Sequence, residues 1–320
     1  MIEDKTIKIL QGKINTRITA AGRTNSPSLR HMLKNTGMRS GKRVRGIFVL
    51  LTARANNKKI TPRILDVAAA VELLHQATLI HDDIVDNSEK RRGISTLNKT
   101  LGYEISVLAG DYFFSTVMNM ILKMNDPKII SVFAGAVKDV CEGEIEEVYN
   151  KFNTRMTREK YFEIIRKKTA SLISSSIEAG ARCGGFSPAD IRKLKAFGEN
   201  IGMAFQIKDD ILDVEGSSKK LGKTAGTDIK EGKITLPFIL ALETAPEKEA
   251  RRIKGFVKKG IYPDRAYRFI RKYKGAEKAG KTAEKYVLKA KKYLALTGIR
   301  PGRDKILLEL MADYMVKRNH

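Results

Sequence analysis

Two stretches of this sequence place carboxylates at a spacing that can do chemistry. His81-Asp82-Asp83-Ile84-Val85-Asp86 holds an Asp-Asp-x-x-Asp pattern, and Gln206-Ile207-Lys208-Asp209-Asp210-Ile211-Leu212-Asp213 repeats it. Residues four apart leave the same face of a helix, so Asp82 and Asp86 point the same way. Gln206, Asp209, Asp210 and Asp213 likewise fall on one side of a helix wheel. A single pattern of this kind is an ordinary solvated helix end. Here both copies close long apolar helices, Val67 to Ile84 and Ile201 to Leu212. Carboxylates held beside a core repel one another and lose solvation unless a cation joins them. The ligands are all oxygens, and no His/Cys set stands at zinc spacing, so the expected ion is magnesium. Magnesium completes its shell with water and substrate phosphates, which implies a diphosphate ligand.

A diphosphate needs further cations for its remaining oxygens. Gly41-Lys42-Arg43-Val44-Arg45 opens an apolar helix, and Arg91-Arg92 follows the first acidic pattern. Lys168-Thr169 lies inside a helical run, and Lys223 and Lys233 follow the second pattern in LGKTAGTD and EGKITLP. His75 lies within about 20° of both Asp82 and Asp86 on an ideal wheel, so it shares the acidic face.

The elements that must position these groups are helices. Apolar residues recur at helical spacing nearly throughout. Ile7, Leu10, Ile14 and Ile18 form an early stripe, and Thr61-Pro62 caps a helix that runs to about Asp86. Further helices are expected at about 104–122, 128–149, 157–182, 188–213, 234–243, 247–258, 277–296 and 303–317. No segment alternates with period two for long enough to be a convincing strand. Nothing resembling a linker divides the chain, so residues 1–320 are expected to form a single all-α domain, one antiparallel bundle.

Bulk properties narrow the class. The two cysteines, Cys141 and Cys183, form no CxxC pair, which excludes a disulfide scaffold and suits a reducing cytoplasm. The N-terminus lacks a signal-peptide apolar region, and no apolar run is expected to reach the roughly eighteen residues of a membrane span. The net charge of +25 permits nucleic acid, an anionic membrane surface or polyphosphate as partner. Aromatics are 7% of the chain and do not interleave with the cations in a recognised motif, so no specific nucleic-acid partner is expected. Peripheral membrane contact stays open.

Taken in order, GKRVR, ELLHQATLIHDDIVD, RRG, SVLAGDYFF, KKTASL, GMAFQIKDDILD, GKTAGTD and EGKITLP resemble the trans-prenyl diphosphate synthase family, from about Lys34 to the C-terminus. The resemblance implies helices around a deep cavity, usually as a homodimer. It implies that isopentenyl diphosphate condenses with an allylic diphosphate. Asp82, Asp86 and Asp209 would ligate magnesium, with Asp83, Asp210 and Asp213 in support. Arg91, Lys168 and Lys223 would hold the allylic diphosphate, with Lys233 nearby. Lys42, Arg45, His75 and Arg92 would hold isopentenyl diphosphate. Thr169 and Gln206 would turn oxygens towards the developing carbocation, and the departing proton would pass to a pyrophosphate oxygen.

Two departures stand out. The family usually has proline after GKRxR, where this chain has Gly46. The family commonly carries glutamine near EGE, where Cys141-Glu142-Gly143-Glu144-Ile145-Glu146-Glu147 is strongly acidic. Chain length in the family is set by bulk below the first acidic pattern. Thr78 and Ala77, four and five residues before it, are small, so the resemblance implies a product longer than twenty carbons. Phe113, Phe114 or Met118 could form a deeper floor. A geranylgeranyl or farnesyl diphosphate synthase is the rival on product. A class I terpene cyclase would lack the second set of diphosphate cations, and a non-catalytic subunit of a two-component synthase would tend to lose an acidic pattern.

Overall fold

The structure is a computed structural model, and it describes residues 4–36, 41–91, 93–215 and 226–317. The chain folds as helices: α1 (Lys5–Ala21), α2 (Pro27–Asn35), α3 (Val44–Arg54), α4 (Pro62–Val85), α5 (Leu97–Leu122), α6 (Pro127–Tyr149), α7 (Arg158–Ile165), α8 (Ser171–Gly184), α9 (Pro188–Glu215), α10 (Leu236–Thr244), α11 (Glu247–Lys258), α12 (Pro263–Lys272), α13 (Gly275–Ala295) and α14 (Arg303–Lys317). The all-α expectation holds. The only sheet among the described residues is a two-residue antiparallel hairpin, β1 (Lys90–Arg91) with β2 (Ile94–Ser95).

Local chemistry explains the boundaries. Thr61 accepts a hydrogen bond from the Ile64 amide, with Pro62 in the first turn, so α4 starts where the sequence indicates. Asp126 caps α6 in the same way, through the amides of Lys128 and Ile129. The helix expected at 104–122 begins earlier, at Leu97, and Gly102 breaks its regularity with φ 85°. The run expected as one helix at 157–182 contains a π-helical turn, Arg166–Ala170, between α7 and α8. Such insertions add a residue to the turn and re-aim the side chains on it. Helix α12 was not expected. Tyr262, at φ 53°, turns the chain sharply, and Pro263 opens the helix.

Two apolar clusters hold the helices together. The larger joins α1 to α6, α8, the first half of α9, the end of α13 and α14. From Val67 to Leu74 every residue of α4 is buried, each large apolar one contributing roughly 1.5–3 kcal/mol. The smaller cluster joins α7, the second half of α9, α10 to α12 and the first part of α13. The first acidic pattern ends the central helix of the larger cluster. The second ends the α9 stretch that packs into the smaller one.

One expectation is corrected. Pro62–Val85 and Leu97–Leu122 are both long and apolar enough to cross a membrane by length and composition. The interrupting residues are few and mostly uncharged, which hid the runs from a count of consecutive apolar residues. The apolar window of α4 is 61% buried, as in a core helix, but that of α5 is only 33% buried.

Candidate active site

The carboxylates of the first acidic pattern are held by cations. Asp86 accepts from Lys233 Nζ at 2.7 Å, and Lys151 Nζ stands 3.5 Å from its other oxygen. Burial opposes ionisation of Asp86, but Lys233, Lys168 and Lys151 hold its carboxyl below the usual range. Asp83 is buried and pairs with Arg91 at 2.8 Å, so this expected diphosphate cation is first a partner of the motif. Asp82 has Lys168 and Arg91 nearby, yet burial together with Asp86 and Glu147 pushes its carboxyl up.

Neutral donors hold much of the second pattern. Tyr161 donates to Asp210 Oδ2 at 2.6 Å, and Gln206 Nε2 donates to Asp210 Oδ1 at 2.8 Å. Thr169 donates to Gln206 Oε1 at 2.7 Å, so one chain of bonds runs from the π-turn to α9. Burial raises Asp210 to about 7, against the lowering by these two donors. Asp213 faces elsewhere. It accepts from the Thr227 amide and hydroxyl, both at 3.0 Å, and from Tyr267 at 3.3 Å. It therefore anchors the chain at Thr227. Asp209 is partly buried beside Asp210, whose carboxyl it helps to raise.

Two lysines tie the halves together. Lys168 Nζ lies 2.6 Å from both Glu144 and Glu147. Lys233 Nζ contacts Glu231 at 2.8 Å and reaches Glu147 at 4.0 Å, besides Asp86. Burial works to deprotonate both, but Glu147, with Asp82 at Lys168 and Asp86 at Lys233, outweighs it and holds both ammonium groups well above their ordinary value. Glu147 also acts on Asp82 from α4 and on Asp210 from α9. It is the carboxylate common to both patterns.

Close backbone approach makes this possible. A Cβ on Gly143 would sit 2.4 Å from the Lys168 amide nitrogen, and one on Gly202 would sit 2.4 Å from the Ala170 Cα. Only glycine lets α6 and α9 press against the π-turn from its two sides. The π-turn then carries Lys168 towards α6 and Thr169 towards α9.

Glu144, Glu147, Lys151, Tyr161, Asp228 and Tyr267 join the site without having been singled out as site residues. The acidic run at 142–147 was a visible signal for the first two. Tyr161 and Tyr267 gave none, because a lone tyrosine on a helix is indistinguishable from core. Asp228 is partly buried beside Asp213 and Asp210, and desolvation together with those two carboxylates pushes its own carboxyl well up.

The remaining described candidates lie at the start of α3 and along α4. Lys42 Nζ contacts the Tyr314 hydroxyl of α14 at 2.7 Å. Arg45 and His75 are partly buried, on the first turn of α3 and two turns before Asp82 on α4. Arg92 and Lys223 lie outside the described residues. Gly46, where proline was expected, donates its amide to buried Glu72 at 2.7 Å. Arg43 is buried too, bonded to Asn15 at 2.7 Å and 3.9 Å from Glu72. Proline has no amide proton, so the glycine supplies a hydrogen bond that the family's usual residue cannot. Ala77 is fully buried, and the Thr78 hydroxyl donates to the His75 carbonyl at 2.8 Å.

The residues suit a hard divalent cation. The donors are carboxylate oxygens, and Glu144, though paired to Lys168, receives no well-aligned hydrogen bond on either buried oxygen. Among the described residues, no three metal-binding side chains converge closely enough to hold an ion as they stand. The protein's own lysines lie between the carboxylates instead.

The sequence pattern of the polyprenyl synthetase family matches residues 26–267. The chain belongs to that family. It is thus a prenyltransferase. Among its relatives are heptaprenyl diphosphate synthase component 2 of Geobacillus stearothermophilus, 34% identical over 88% of this chain and 87% of that one. A short chain isoprenyl diphosphate synthase of Methanothermobacter thermautotrophicus is 36% identical, with the same shares covered. The crystal structure of a polyprenyl synthase from Caulobacter crescentus, complexed with calcium and isoprenyl diphosphate, superposes with a TM-score of 0.92. That protein is 31% identical, and 99% of this chain and 97% of that one are covered.

Proposed function

We propose that this prenyltransferase elongates an allylic diphosphate with isopentenyl diphosphate to a trans-polyprenyl diphosphate longer than twenty carbons. The observation that carries the reading is the pair Lys168 and Lys233, largely buried cations set between the first acidic pattern and the carboxylates of α6, with Glu147 common to both. Such ammonium groups stay charged and can turn to an incoming diphosphate.

Asp82, Asp86 and Asp209 would hold magnesium, which when bound neutralises charge on the departing pyrophosphate. Lys168, Lys233 and Arg91, with Lys223, would exchange carboxylate partners for phosphate oxygens and stabilise that leaving group. Thr169 spends its hydroxyl proton on Gln206, which leaves its oxygen lone pairs to face a positive carbon. Lys42, Arg45 and His75, with Arg92, would hold the isopentenyl diphosphate close enough for its double bond to attack. Small residues at 77 and 78 support the longer product. The relatives, named for both heptaprenyl and short-chain products, support the reaction more than the length.

A second copy would cover the outer face of α5 and α6. Val107, Leu108, Met118 and Leu122 are exposed on α5, and Ile145, Val148 and Tyr149 on α6. Apolar patches of this kind mark association surfaces. A homodimer through this face predicts that Leu108→Glu with Ile145→Glu gives a monomer in analytical ultracentrifugation. Incubation with isopentenyl diphosphate, Mg²⁺ and each allylic primer, then separation of dephosphorylated products by length, tests the main reading. No product from any primer sinks the reaction, and a sharp stop at or below twenty carbons sinks the length.

A further inference from the structure

The chain's positive charge is unevenly spread. Residues 247–274, which span α11 and α12, carry 11 Lys and Arg against 3 Asp and Glu. These 28 residues supply +8 of the net +25. The acids are largely spent locally, since Glu247 pairs with Arg251 and Glu249 with Lys272 at 2.8 Å. Lys258, Lys259 and Arg268 are exposed, and among the described residues they form no ion pair. Two consecutive helices thus carry exposed, uncompensated cations.

The tip of this pair is apolar. Ile261 is 40% exposed and Tyr262 55%, on the turn between the two helices. Tyr262 packs edge-on against Phe256 at 5.4 Å. Arg265 lies over both rings, 4.5 Å from Tyr262 and 4.9 Å from Phe256. The tip is therefore braced and held outwards, and not collapsed onto the protein.

We propose that the α11–α12 face is a docking surface for an anionic phospholipid membrane, with Ile261 and Tyr262 entering the headgroup layer. Charge complementarity supplies the attraction, each basic side chain adding its share near a negative surface. An aliphatic and a tyrosine side by side suit the boundary between headgroups and acyl chains. Nucleic acid fits less well. Single-stranded bases would need open ring faces to stack on, and here Arg265 covers the rings.

Full-length protein would be sedimented with vesicles of phosphatidylcholine alone and with vesicles that also contain phosphatidylglycerol. Binding only to the second kind is expected. Lys258→Glu, Lys259→Glu and Arg268→Glu together should weaken it about tenfold or more. The same charge change on α1, at exposed Lys5, Lys8 and Lys13, should weaken it far less. Ile261→Ser with Tyr262→Ser keeps every charge, and it should weaken vesicle binding while leaving binding to duplex RNA unchanged. Circular dichroism would confirm that each variant folds. Equal losses from both charge reversals, indifference to lipid charge, or an unaffected tip variant would each overturn the proposal. Tighter binding to RNA than to anionic vesicles, lost with the α11–α12 reversal, would reassign the face to nucleic acid.

Discussion

The two acidic patterns share a spacing but differ in how their charge is satisfied. The first faces cations: Arg91 on Asp83, Lys233 and Lys151 on Asp86. In the second, Asp210 and Asp213 rest on Tyr161, Gln206, Thr227 and Tyr267. Cations are exchangeable for other cations, because a lysine can swing from a carboxylate to a phosphate without leaving any charge bare. Hydrogen bonds from core-packed neutral donors fix geometry and do not exchange. The first pattern is thus organised to trade partners, and the second to hold still.

The largest effect should come from the exchangeable side. Asp82→Ala should cost roughly a thousandfold or more in turnover, while Asp213→Asn should cost mainly stability. Steady-state kinetics beside a thermal melt would separate the two, and equal kinetic losses would erase the contrast. Next comes the residue that bridges them. Glu147→Gln removes the charge that Lys168 and Lys233 share, and kcat/KM should fall about ten- to a hundredfold, with KM for the allylic diphosphate moving more than KM for isopentenyl diphosphate.

The scaffold behind the contrast is open to test as well. Gly143→Ala would push α6 off the π-turn at Lys168 and should destabilise by about 1–3 kcal/mol in chemical denaturation. Tyr161→Phe removes one donor from Asp210 and should cost about 1 kcal/mol, with turnover reduced less than by Glu147→Gln. The smallest effect is on pH. Burial lifts Glu144 from its ordinary 4.5 to about 7, helped by Asp82 and Glu147 against Lys168. Between those values the folded chain keeps a proton that the unfolded chain has released. The contribution of Glu144 to the stability of the metal-free protein should therefore fall as pH rises through that window and level off above about 7. Glu144→Gln should make the slope shallower, with Asp210, also raised to about 7, keeping part of it, as melting temperature against pH would show.

Helical spacing, caps and acidic repeats were legible in the sequence because they are local. Thr61-Pro62 sets the start of α4 whatever packs on it, and Asp82 and Asp86 share a face on any helix. From these alone followed the all-α class and a cluster of carboxylates needing a cation, while the family rested on the resemblance of the whole ordered set of motifs. The π-turn at Arg166–Ala170 was not legible, since its extra residue is dictated by Gly143 and Gly202 pressing from two other helices. Nor could the sequence say that Tyr161 meets Asp210 or that Glu147 lies between Lys168 and Lys233. Those pairings join residues far apart in the chain, and electrostatics in a buried site depends on distances that only the packed helices set.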